Sequence, residues 1–131
     1  MSKRSVILII EDQADIRSLI RMTLEMGNNE IHEAENGDSG WHMVRALRPD
    51  LVLLDVMMPG TLDGYQVCQK IRNEPSIKET PVIMLTARGQ QSDFEMGRQA
   101  GASAYLTKPF SPLELIDTVD QHLAKRRANA A

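Results

Sequence analysis

The sequence predicts an α/β domain: a five-stranded parallel sheet, doubly wound, with helices on both faces. Three observations predict it. Short apolar runs alternate five times with stretches whose apolar residues recur at helical spacing. Three of the runs are apolar throughout and rich in β-branched residues, the pattern of strands buried between two helix layers. The joins are short and marked by Gly27, Asn36-Gly37, Gly60, Pro75 and Gly101, which leaves room for βαβ crossovers of the usual right-handed kind.

The elements follow in order. Val6-Ile7-Leu8-Ile9-Ile10 is the first strand, followed by a helical face at Ile16, Leu19, Ile20, Thr23 and Leu24. Residues 30–34 alternate polar with apolar, as an edge strand does. Trp41, Val44 and Leu47 mark the second helix, and Leu51-Val52-Leu53-Leu54 the third strand. Gly64, Val67, Cys68 and Ile71 give a third helical face, before the strand Pro81-Val82-Ile83-Met84-Leu85. Residues 90–99 form a weaker helix whose apolar content is little more than Phe94 and Met96. Ala104-Tyr105-Leu106 is the last strand, and Ile116, Val119 and Leu123 the last helical face. Two strand orders satisfy this pattern equally well.

A chain of 131 residues is one domain, expected over residues 1–126 with a short tail at 127–131; it leaves no space for an output domain, so the chain either works alone through partners or is one domain of a longer protein. Fifteen basic against 18 acidic residues, a net charge of −3, argue against nucleic acid as the domain's own ligand. No apolar run approaches the ~20 residues of a membrane span, and Met1-Ser2-Lys3-Arg4 leads straight into a strand, unlike a signal peptide. One cysteine, Cys68, excludes an internal disulfide and suits a reducing, cytoplasmic setting.

Ligands of an open parallel sheet bind outside the carboxyl ends of its strands. There the sequence places Glu11-Asp12, Asp55, Thr86-Ala87 and Thr107-Lys108-Pro109. Singly each has an ordinary reading: Asp12 as a helix cap, Asp55 as a turn former, Thr86 as a loop hydroxyl, Lys108 as a solvated lysine. Together they crowd three carboxylates on one rim, and these stay ionised only beside cations. Lys108 supplies one charge and leaves room for a divalent ion. Oxygen ligands point to Mg²⁺. His32, His42 and His122 lack metal-ligand spacing, so zinc is not expected. A carboxylate beside a metal, an ammonium and a hydroxyl can act as a nucleophile toward phosphorus, and Asp55, ending the central strand, is the best placed.

These residues resemble the receiver domain of two-component response regulators, over residues 5–125. The resemblance rests on Glu11-Asp12, on Asp55-Val56-Met57-Met58-Pro59 through Asp63-Gly64, on Thr86-Ala87, and on Gly101-Ala102 through Tyr105-Leu106-Thr107-Lys108-Pro109-Phe110. It implies a flavodoxin-like strand order 2-1-3-4-5. It also implies that Asp55 accepts phosphate from a histidine kinase or histidine phosphotransfer protein. Glu11, Asp12, Asp55 and the Met57 carbonyl would hold Mg²⁺. Lys108 and the Thr86 hydroxyl would meet the phosphate, with backbone N–H groups at Met57 and Ala87. Tyr105 would be a switch aromatic coupled to Thr86, and Lys108-Pro109 a cis peptide. Such a domain is a signalling switch, not a turnover enzyme, acting on a downstream protein not identified by sequence.

The sequence departs from the family pattern in three places. The segment from Pro59 to Gly64 is one residue longer than usual, at Thr61-Leu62. Ser103-Ala104 stands where many DNA-binding relatives carry two acidic residues, and Thr118 where they carry Arg, so a monomer or weak dimer is expected. Two other readings are a small aspartate-nucleophile phosphatase, which would want a second Asp at the position of Met57, and a pseudo-receiver that only binds partners, which would not need all five rim residues.

Overall fold

The structure, a computed structural model, describes residues 4–87 and 91–130. Its elements are β1 (Ser5–Ile10), α1 (Ala14–Glu25), β2 (Asn29–Ala34), α2 (Gly37–Leu47), β3 (Leu51–Asp55), α3 (Gly64–Asn73), β4 (Val82–Thr86), α4 (Gln91–Ala100), β5 (Ala104–Thr107) and α5 (Pro112–Ala130). All strand pairs are parallel and the order is β2-β1-β3-β4-β5. That decides between the two orders which the pattern left open. Gln90, and the side chain of Phe94, lie outside what is described.

Period-two alternation splits each buried strand between two cores. Leu8, Ile10, Val52, Leu54 and Met84 meet Val44, Val67, Cys68, Ile71 and Ala100 from α2, α3 and α4. Ile7, Ile9, Leu51, Leu53, Ile83 and Leu85 meet Ile20, Leu24, Leu115, Val119 and Leu123 from α1 and α5. Truncating any of these large side chains to Ala is worth ~2–5 kcal/mol, because the lining relaxes only partly. Asn36 caps α2 by accepting from Ser39 N at 2.8 Å, and Asp63 with Gln66 forms a capping box on α3.

Several expectations change. Leu19 is 48% exposed despite its helical spacing, and Leu115 takes a core place that spacing had not given it. Asp12 is not a helix cap; Gln13 holds that position, with no side-chain cap bond. Residues 127–130, expected as a tail, continue α5. Two contacts explain the extension: Arg127 donates to Ser5 Oγ at 2.6 Å, and Arg126 approaches Asp50 at 3.6 Å, tying the last turns to the start of the sheet. Among the described residues no helix is long and apolar enough to cross a membrane.

Candidate functional site

The carboxyl ends of β1, β3, β4 and β5 form one rim, and register sets the spacing on it. Ile10 pairs with Leu54, so Glu11 and Asp55 come next on adjacent strands. Asp55 pairs with Leu85, which brings Thr86 one step beyond it. Glu11, Asp55 and Thr86 are all buried. After β5 the ladder runs one bond further, Lys108 N to Thr86 O at 2.6 Å, and turns the lysine back over the rim. Its ammonium lies 2.6 Å from Glu11 Oε1 and 3.3 Å from Asp55 Oδ1. The Lys108-Pro109 peptide is cis.

Backbone and neighbours fix the carboxylates. Met57 N donates to Asp55 Oδ1 at 3.3 Å, and Gln13 N to Glu11 Oε2 at 3.1 Å. Arg17 Nη1 donates to Glu11 O at 2.7 Å, holding the turn after β1. Behind Asp55, α3 begins at Gly64, where an added Cβ would fall 2.3 Å from Asp55 O. Only a residue without a side chain lets the helix start so close to the strand. Glu11, Asp12 and Asp55 each offer an oxygen, all within 4.8 Å of one another.

Such crowding shows in the protonation equilibria. Asp55 is pushed up to about 8, by burial first, then by its hydrogen bond with Asp12 and the charge of Glu11, against the pull of Lys108. Burial also opposes charge on Asp12, but hydrogen bonds to Asp55 and Glu11 and the field of Lys108 bring it below the ordinary carboxylate value. Lys108 loses hydration, yet its bond to Glu11 and the field of Asp55 raise it. With all three ionised, the carboxylates would exceed the one ammonium by two negative charges, and burial together with this excess holds the Asp55 proton on. The oxygen donors, their spacing and this excess fit a hard divalent cation.

Glu11, Asp12, Asp55, Thr86 and Lys108 thus come together as the sequence suggested. The Met57 side chain is exposed, its N–H on Asp55. Ala87 follows Thr86 beside a cavity of about 460 Å³, lined also by Val56, Met57, Asp63, Tyr65 and Met96. Tyr105 is half-buried on β5, its ring against α4, where a Cβ on Gly97 would meet Cε1 at 2.4 Å. Sequence reasoning missed Arg17 and the close approach at Gly64. Arg17 carried no spacing signal; Gly64 was read as one position on a helical face, though a Gly at a helix start beside Asp63 was a usable sign.

A buried acidic pocket at the carboxyl edge of a 2-1-3-4-5 sheet defines a class of phosphoacceptor-like α/β domains. The profile of the response regulator receiver domain matches residues 7–120, and this chain belongs to that family. It is 49% identical over 110 residues to the transcriptional regulatory protein ResD of Bacillus subtilis, spanning 84% of this chain and 44% of that one. It is 42% identical over 110 residues to the phosphate regulon transcriptional regulatory protein PhoB of Pseudomonas aeruginosa, 84% of this chain and 48% of the other. The chain therefore spans just under half the length of these relatives. Among solved structures it resembles the chemotaxis response regulator CheY4 of Vibrio cholerae, at TM-score 0.85 and 28% identity over 91% of this chain and 98% of that one. The receiver domain of the Francisella response regulator 1452 superposes at TM-score 0.86 with 29% identity, covering 93% and 98%. The chain is a receiver domain of a two-component system, a signalling switch by family.

Proposed function

We propose that Asp55 is the phosphoacceptor of this receiver, charged by the phosphohistidine of a histidine kinase or histidine phosphotransfer protein in the cytoplasm. The observation that carries this is the position of Asp55: buried at the end of the central strand, within reach of the Lys108 ammonium, the Met57 N–H and two further carboxylates. An Asp55 oxygen forms a bond to phosphorus as the donor's P–N bond breaks, and the imidazole leaves with the electron pair. Glu11, Asp12, Asp55 and the Met57 carbonyl are the ligands for Mg²⁺, which when bound supplies charge to neutralise the phosphoryl oxygens. Lys108, freed from part of its contact with Asp55, pairs with a phosphoryl oxygen. The Thr86 hydroxyl and the N–H groups of Met57 and Ala87 donate to the others.

The cavity between Thr86, Met57 and Met96 gives Thr86 room to shift toward phosphate. Tyr105, packed against Gly97, then repositions with α4 and changes the surface offered to a downstream protein. That surface is not expected to form the ion-paired dimer of winged-helix regulators, because Ser103-Ala104 and Thr118 supply no charge for it. Ser103 is already engaged, its Oγ accepting from Arg72 Nη2 at 3.2 Å and from Val82 N at 3.1 Å. A phosphatase reading is not favoured, since the exposed thioether of Met57 cannot serve as a general acid.

Intact mass after treatment with acetyl phosphate and Mg²⁺ tests the assignment. One phosphoryl adduct is expected, absent from Asp55→Asn and suppressed by chelator. Full labelling of Asp55→Asn would overturn it.

A further inference from the structure

The opposite end of the sheet carries a second, differently charged hollow. Arg4 enters it from just before β1, Arg48 from the end of α2, and Arg126 and Arg127 from the last turns of α5. With Ser5, Val6, Asp50 and Leu123 they line a cavity of about 420 Å³, within the size range of small-molecule sites. Four of the fifteen basic residues of an otherwise acidic chain converge there.

Their partners do not neutralise them. Among the described residues Asp50 is the one carboxylate in the lining; it faces Arg126 at 3.6 Å and also accepts from Val6 N at 2.8 Å. Arg127 donates to the neutral Ser5 Oγ, and Arg4 to the neutral Asn29 O. Arg48 has no side-chain partner among the described residues. It also adopts φ 48 and ψ 62, a left-handed helix-end conformation where Gly or Asn is favoured. Arg48 thus lines the hollow from a backbone position that Gly or Asn would hold more easily. All four cations are Arg, whose planar fork matches phosphate oxygens in pairs.

We propose that this hollow binds a small polyanion carrying two or more linked phosphate groups. Three guanidinium groups with no charged partner among the described residues would each take phosphate oxygens, and Val6 and Leu123 give an apolar floor. The bound anion would bridge the beginning of β1, the end of α2 and the end of α5, and so hold the last turns of α5 on the domain. The site is independent of Asp55, which lies at the other end of β3.

Calorimetric titration of the whole chain with sodium tripolyphosphate, with sodium sulfate at matched ionic strength as control, tests this. Saturable one-to-one binding is expected with tripolyphosphate and not with sulfate, together with a rise in Tm. Arg48→Ala should weaken binding at least tenfold, and Arg48→Lys should restore little of it. Asp50→Asn keeps an acceptor for Val6 N, removes the repelling charge, and should tighten binding several-fold. Arg45→Ala, whose guanidinium stacks over Trp41 elsewhere, should bind like the parent. Absence of saturable binding, equal loss in Arg45→Ala and Arg48→Ala, or weaker binding by Asp50→Asn would each overturn the proposal.

Discussion

Asp50 and Asp55 stand at opposite ends of β3 and meet opposite fates. Asp50 accepts a backbone N–H and faces an arginine, so its charge is provided for. Asp55 is buried beside two other carboxylates with a single ammonium between them. The backbone shows the same contrast. At the acidic rim a Gly is sterically required, at Gly64; at the basic rim an Arg occupies a conformation that Gly would hold more easily, at Arg48. The first rim is built tightly around a conflict of like charges, which a bound cation would relieve. The second is open and over-supplied with positive charge.

The largest effect should come from closing the gap at the acidic rim. In Gly64→Ala the new Cβ would meet Asp55 O at 2.3 Å and Val56 Cα at 2.8 Å, both backbone atoms that cannot swing aside. A loss of about 3 kcal/mol or more is expected in urea denaturation, with reduced phosphoryl incorporation, since the strand end itself must move. A loss under 1 kcal/mol would show that the rim is looser than its geometry implies.

Replacing the two aspartates should move stability in opposite directions. Asp50→Ala removes the acceptor for Val6 N and the partner of Arg126, and should cost ~1–3 kcal/mol. Asp55→Asn should stabilise the metal-free chain. A carboxyl raised to about 8 in the fold contributes stability that is complete below its unfolded value near 3.8 and is lost as pH rises through 8. The Asn variant has no such loss, so its advantage should be largest above pH 8 and shrink toward pH 4. Each kcal/mol corresponds to roughly 2–8 °C in Tm. Mg²⁺ should raise the Tm of the parent and much less that of Asp55→Asn. Asp55→Asn melting below the parent at pH 8.5 without metal would break the contrast.

Much of the acidic rim was legible because each of its residues follows directly on an apolar run, so that strand ends and chemistry are read together. Strand order was not legible in the apolar pattern, which does not say which strands pair; the resemblance to receiver domains supplied the order 2-1-3-4-5, and the strand pairing bears it out. Leu19 and Leu115 were misplaced because a single helical spacing does not say where one neighbour ends and solvent begins. The basic rim could not be read at all. Arg4, Arg48, Arg126 and Arg127 are scattered over the whole chain and share no motif, and only the docking of α5 along the sheet gathers them. For the same reason the end of α5, rich in Ala and Arg, looked like a tail.

A third carboxylate sharpens the comparison with the smallest effect. Glu33, on the edge strand β2, lies near the acidic rim but is treated as Asp50 is: Arg21 Nε bonds to Oε2, and Arg17 Nε to Oε1 at 3.1 Å. The hydrogen bond from Arg21 holds its carboxyl below the ordinary value of 4.5, against the opposing effect of burial. A carboxyl lowered in the fold contributes stability that is present above its unfolded value and lost as pH falls through the folded one. That is the reverse of Asp55. Its side chain is 29% exposed, so solvent screens the pair and Glu33→Gln should cost only ~0.5–1 kcal/mol at pH 7. The cost should shrink as pH falls below 4.5, because the unfolded chain then takes up a proton that the fold resists, and it vanishes once the folded Glu33 is protonated as well. Urea midpoints of parent and Glu33→Gln at pH 7 and at pH 3.5 measure this directly. An unchanged gap at the two pH values would mean that Glu33 acts through packing of its stem, and that charge compensation by arginine does not set it apart from Asp55.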